Sequence, residues 1–165
     1  MSLLRYTALV LLLALLAGCG YSFGEGGSSV LKPEYRTVAV DEVQNPTTLA
    51  WLEPRLRKLL RDELHNRGTI TWVDDKDKAD ALITIDIDRY YRPTAVEGAD
   101  EETLLSEAIF RFSAVIRSAT DNSVLWTSGE ISENWPYDYG SGQEADMEVT
   151  RRGIQVLADR MTQDY

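Results

Sequence analysis

The stretch ALITIDIDRYY (81–91) restricts the possible folds more than any other segment of the chain. Side chains alternate across an extended strand, so Ile83, Ile85 and Ile87 point one way while Thr84, Asp86 and Asp88 point the other. The segment LSEAIFRFSAVIRSA (105–119) has the same habit. Phe110, Phe112, Ala114 and Ile116 alternate there with Arg111, Ser113, Val115 and Arg117. Strands buried on both faces read instead as continuous apolar runs. The sheet built from these segments therefore has one face for helices to cover and one polar face. Asp86 and Asp88 are expected opposite Arg111 and Arg117, either as a solvated cross-strand charge array or as a partner or ligand surface.

The other segments complete a short list of elements. YRTVAVDEV (35–43) reads as a strand, and NPTT (45–48) as a turn that supplies capping side chains. Leu49, Leu52, Leu56, Leu59, Leu60 and Leu64 recur at helical spacing up to Arg67. Pro54 is tolerated only in a first turn, so the regular helix is expected to start near Leu52, and Gly68 is placed to stop it. TITWV (69–73) is a short strand, followed by an acidic turn that carries lysines. Pro93 is expected to end the pairing of the 81–91 strand. TDNS (120–123) is a hairpin turn that leads to a returning strand over 124–134. NWPYDYG (134–140) reads as an exposed aromatic loop suited to protein contact. Residues 143–163 form a second helix with Met147, Ile154, Leu157, Ala158 and Met161 on its apolar face. The order β-α-β-β-β-β-α predicts an α+β two-layer sandwich. Two helices lie on one face of its mixed sheet, in a single domain over 35–165.

The N-terminus carries an address. Residues 1–18 hold Arg5, an apolar run from about Thr7 to Leu16, and the small pair Ala17-Gly18, the layout of an export signal. The run is about half the ~20 residues needed to cross a bilayer as a helix. Leu16-Ala17-Gly18-Cys19 reads as a lipobox, with Cys19 the lipidated residue once the signal is removed; the other reading is an ordinary signal peptide with a coincidental cysteine. A diacylglycerol thioether on its sulfur and an N-acyl chain such as palmitate would hold the chain on a membrane. Gly20, rather than Asp, follows the cysteine, which by resemblance to lipoproteins of two-membrane bacteria favours the outer membrane over the inner one. Residues 19–34, rich in Gly and Ser, form a flexible tether.

Composition removes several classes of chemistry. With 17 Lys plus Arg against 27 Asp plus Glu, the chain lacks the basic footprint of a nucleic-acid binder. One cysteine and one histidine, His65, leave no disulfide, no thiolate zinc cluster and little material for a catalytic triad. Asp74, Asp75, Asp77 and Asp80 lack the glycine and terminal glutamate of a calcium loop, and EGADEE (97–102) reads as a solvated loop. No catalytic constellation emerges, and neither cofactor nor metal is expected. Arg55, Arg57, Lys58, Arg61 and Arg67 make the first helix basic, and Arg151 and Arg152 lie on the last. Pairing with Asp62, Glu63 and Glu148 accounts for most of these charges, with headgroup phosphates as the alternative partner. Arg89-Tyr90-Tyr91-Arg92 combines guanidinium donors with amphipathic rings suited to a sugar-phosphate surface. Its other reading is a strand end with the rings packed on the core rim.

The lipobox with CGYSF (19–23), TVAVDEVQNPT (37–47), LRDELHNRG (60–68), ADALITIDIDRYY (79–91) and VLWTSGEIS (124–132) together resemble the LptE-type lipopolysaccharide-assembly lipoproteins. The resemblance implies a mixed sheet of about four strands with two helices on one face, and a non-catalytic outer-membrane lipoprotein on the periplasmic side. Such a protein plugs and assists assembly of an LptD-like β-barrel translocon and contacts lipopolysaccharide (LPS) on its way to the surface. Arg89, Tyr90 and Arg92 are the candidate LPS-binding residues. Lipoproteins that activate peptidoglycan synthases or form curli-type secretion pores share several of these features. A synthase activator must reach across the periplasm, whereas this tether of about 15 residues makes a coil of only roughly 20 Å.

Overall fold

The computed structural model describes residues 29–97, 103–138 and 140–162. The lipobox, the signal-like run and the acidic segment 98–102 lie outside the described residues. Along the chain come β1 (Thr37–Gln44), α1 (Leu52–Arg67), β2 (Thr71–Trp72), β3 (Ala81–Tyr91) and β4 (Thr94–Glu97). They are followed by β5 (Thr103–Ser118), β6 (Val124–Thr127), β7 (Ile131–Asp138) and α2 (Gly142–Thr162). The strands form one mixed sheet ordered β2-β1-β3-β5-β4, with β6 and β7 also paired to β5. β1 is parallel to β2 and β3, and the remaining pairs are antiparallel.

The α+β class stands, but the described residues form seven strands rather than about four, because two ribbons are each broken in two and the two-residue β2 adds a parallel strand at the edge. β3 and β4 run along one edge of β5 and part at Arg92-Pro93, where proline has no ladder donor. β6 and β7 share the other edge of β5 and part at Ser128–Glu130. Gly129 has φ 65° at that corner. Arg160 of α2 holds it, its Nη1 donating to Ser128 O at 2.6 Å and Glu130 O at 3.0 Å. The expected aromatic loop at 134–140 is a correction. Through Asp138 it is the continuation of β7, with Trp135 and Tyr137 half-buried against the core. Pro136 is tolerated because β7 is an edge strand.

Two irregularities decide which side chains reach the core. The ladder shifts register between Val40 and Glu42 in β1, and between Ile87 and Arg89 in β3. Strict alternation would turn Val43 and Tyr90 away from the helices. The extra residues, Asp41 and Asp88, return both to the covered face. Val43 is 5% and Tyr90 8% exposed.

Both helices pack on that face. Leu52, Leu56, Leu60 and Leu64 of α1 are fully buried, each contributing roughly 1.5–3 kcal/mol relative to exposure. Gly68 ends α1 in the left-handed region at φ 66°, its N–H bonded to Leu64 O. The NPTT side chains act one turn earlier than expected. Asn45 Oδ1 accepts from Thr47 N, and Thr47 Oγ1 accepts from Leu49 N, whereas the helix N-cap Trp51 makes no side-chain cap. On α2 the buried stripe is Ala145, Val149, Ile154, Leu157, Ala158 and Met161. Met147, expected on this stripe, is 45% exposed, and Val149 holds the core position. Upstream of residue 35, Val30 N donates to Met161 O at 3.0 Å and Leu31 is buried. The packed body thus starts inside the segment expected to be tether. No helix among the described residues is long and apolar enough to cross a membrane.

Candidate functional site

The Arg89–Arg92 tetrapeptide is divided by the sheet. After the bulge at Asp88, Tyr90 and Arg92 turn toward α2, while Arg89 and Tyr91 lie on the uncovered face. Tyr90 packs edge-on to Trp51, with ring centroids 5.6 Å apart and planes at 89°. It also leans on Phe110 at 6.1 Å. Its hydroxyl donates to Asp146 in the first turns of α2. Burial, then the hydrogen bond to the Asp146 carboxylate and the charge of that group, push the Tyr90 phenol far above its ordinary value. Arg92 Nη1 stands 3.6 Å from the same carboxylate, over Gly142. Tyr90 is therefore an inward residue whose polar tip orients Asp146, and Arg92 is the exposed cation of that group. Sequence reading did not find Asp146, which lies 56 positions from Tyr90.

On the uncovered face, Arg89 stacks over Tyr91 with its guanidinium carbon 5.5 Å from the ring centroid. The expected pairing of aspartates with arginines does not occur. Asp86 lies opposite Ser113, Arg117 opposite Leu82, and Arg89 directly opposite Arg111. Asp88 sits at the bulge. An open groove of about 600 Å³ runs past Asp86, Asp88, Ser113, Val115 and Glu130. The face thus carries carboxylates near the Gly129 corner and guanidiniums toward Tyr91.

The basic helix is largely neutralised within the fold. Arg57 pairs with Glu53 at 3.1 Å, Lys58 with Asp62, and Arg67 with both Glu63 at 2.8 Å and Asp159 at 2.7 Å. Arg151 pairs with Glu148 at 2.6 Å. The Arg151 hydrogen bond holds the Glu148 carboxyl below its ordinary value, as the Lys58 hydrogen bond does for Asp62. Arg55 instead ties the helices together, donating to Thr150 Oγ1 at 2.7 Å and Met147 O at 3.0 Å. Arg152 stacks on Trp135 at 4.2 Å. His65 is exposed on α1. Asp75 accepts from Asp77 N within its turn, and Lys76 pairs with Asp41 at 2.6 Å.

A family model for lipopolysaccharide assembly, LptE, matches residues 35–164. The chain belongs to the LptE family. No curated protein sequence matches it. Solved structures similar to this LptE-family chain include an uncharacterized lipoprotein B from Nitrosomonas europaea, at 14% identity and TM-score 0.61, covering 86% of this chain and 90% of that one. A PelC variant from Paraburkholderia phytofirmans, solved as a dodecamer, aligns at 14% identity and TM-score 0.55, covering 85% and 95%. A protein from Xanthomonas campestris aligns at 13% identity and TM-score 0.56, covering 81% and 88%. These likenesses are of fold. The family match connects the LptE-family chain with lipopolysaccharide assembly.

Proposed function

We propose that this chain is a lipid-anchored outer-membrane protein that assists assembly of, and plugs, an LptD-like β-barrel, and that it helps deliver lipopolysaccharide to the surface. The match over 35–164 to the lipopolysaccharide-assembly family carries this reading. The lipobox ending in Cys19 supports the anchor, with diacylglycerol and an N-acyl chain on that residue. A one-faced sheet supports a role in contact rather than catalysis, because among the described residues no helix covers its polar side. In this reading Arg89 and Arg92 contact lipopolysaccharide from opposite faces of β3, and Tyr90 positions the group beside Arg92.

Co-purification tests the proposal. Tagged protein drawn from detergent-solubilised outer membranes is expected to bring down a large β-barrel in constant proportion. Recovery of a peptidoglycan synthase, with no such barrel, would refute the reading and favour the activator class.

A further inference from the structure

The least expected cross-strand pairing on the uncovered face is between like charges. Arg89 of β3 is the direct cross-strand neighbour of Arg111 of β5, a position where Cβ atoms lie about 4.5–5.5 Å apart and like charges destabilise the sheet. Neither guanidinium forms an ion pair among the described residues. Among the described residues, Arg111 Nε is moreover buried with no hydrogen-bond partner, an arrangement native proteins rarely leave unsatisfied. The Asp88 bulge creates the juxtaposition, since without the inserted residue Arg89 would point into the core beside Ile87.

The neighbours give the pair a character. Arg89 is held flat over Tyr91, which is 38% exposed, and half-buried Ile109 is the cross-strand neighbour of Tyr91. A planar fork restrained by an aromatic ring is preorganised for bidentate contact with tetrahedral oxyanions. A bound dianion would remove the repulsion and give Arg111 Nε an acceptor. We propose that Arg89 and Arg111 form a phosphate-binding pair on the open sheet face, with Tyr91 and Ile109 as an apolar shelf beside it. This deepens the lipopolysaccharide-assembly reading and rests on it for where the phosphate comes from. The site is separate from Arg92 and Asp146, which lie on the helix side.

Thermal titration of the full chain in non-ionic detergent tests the pair, using two probes at constant ionic strength. One probe is inorganic phosphate, and the other is dodecyl maltoside micelles containing phosphatidic acid. Ligand binding to the folded state raises Tm. Arg89→Gln and Arg111→Gln are each expected to weaken binding at least tenfold. Arg117→Gln, six positions away along β5 at about 3.3 Å per residue, should bind as wild type. Relief of repulsion should also raise the ligand-free Tm of Arg89→Gln by about 1–4 °C, the opposite of losing a structural contact. Response to both probes assigns the site to phosphate in general, and response to the micelles alone assigns it to lipid headgroups. No response from the wild type, equal loss in Arg117→Gln, wild-type affinity in both pair variants, or a lowered ligand-free Tm for Arg89→Gln would each overturn the proposal. No barrel takes part, so these titrations and the co-purification fail or succeed independently.

Discussion

Replacing Gly153 with alanine measures how closely α2 lies on the sheet. A Cβ at this position falls 2.9 Å from Phe112 Cε1 and 3.1 and 3.2 Å from two carbons of Phe110. Both rings are fully buried and stack on each other at 4.6 Å with planes 17° apart. Neither ring can retreat without displacing the other. An alanine gains about 1 kcal/mol over glycine in a helix interior, while overfilling a packed core costs about 1–3 kcal/mol. With both rings trapped, the cost belongs in the upper part of that range. Gly153→Ala is therefore expected to lower stability by about 1–2 kcal/mol, or roughly 3–6 °C in Tm for a domain of this size. Urea denaturation followed by tryptophan fluorescence reads the change as a shifted midpoint at constant slope. Phe112→Leu removes the nearest ring atom. In that background the alanine should be neutral or stabilising, a coupling of about 1–2 kcal/mol. A wild-type background in which Gly153→Ala stabilises by about 1 kcal/mol would refute the close approach of α2 to the stacked rings.

Tyr90→Phe leaves the Asp146 carboxylate, 17% exposed, without its hydroxyl donor, and should cost about 1–3 kcal/mol. Because the folded phenol is raised above its unfolded value, its contribution is present below about pH 10 and lost as pH rises beyond it. Tm measured from pH 9 upward should fall less steeply in Tyr90→Phe, and parallel curves would count against the assignment. Arg160→Ala frees two carbonyls at the β6–β7 corner, costing about 1–2 kcal/mol. Amide exchange should quicken at 127–131 before α1 responds, whereas uniform acceleration would contradict a local clasp. Cys19→Ala should abolish metabolic labelling with palmitate and move the protein from the membrane to the soluble periplasmic fraction. Retention in the membrane would remove Cys19 as the anchor.

Elements that depend on near neighbours in the chain were legible beforehand. The leucine stripe of α1 and its left-handed stop at Gly68 follow from helical spacing and from glycine's freedom at positive φ. The alternating faces of β3 and β5 were readable up to Ile87. Beyond that point the pattern misleads, since an inserted residue is defined only by the partner strand. The tetrapeptide at 89–92 looked like one cluster and is two. The helix-side group needs Asp146, and the open-face group needs Arg111, which alternation places on the right face but cannot align with Arg89. Helical spacing alone leaves the phase of α2 open, because its first turns carry apolar residues that suit either Met147 or Val149. Packing of α2 against β5, β7 and α1 leaves Val149 buried and Met147 exposed.

By itself, the sequence determined a sheet with one apolar face and helices to cover it, and it pointed to the LptE-type family, because burial patterns and short motifs are local properties. Tertiary structure alone decided that Arg89 meets Arg111, that Tyr90 turns inward to Asp146, and that 134–138 is a strand. These depend on cross-strand register, where moving one residue reverses every side chain that follows.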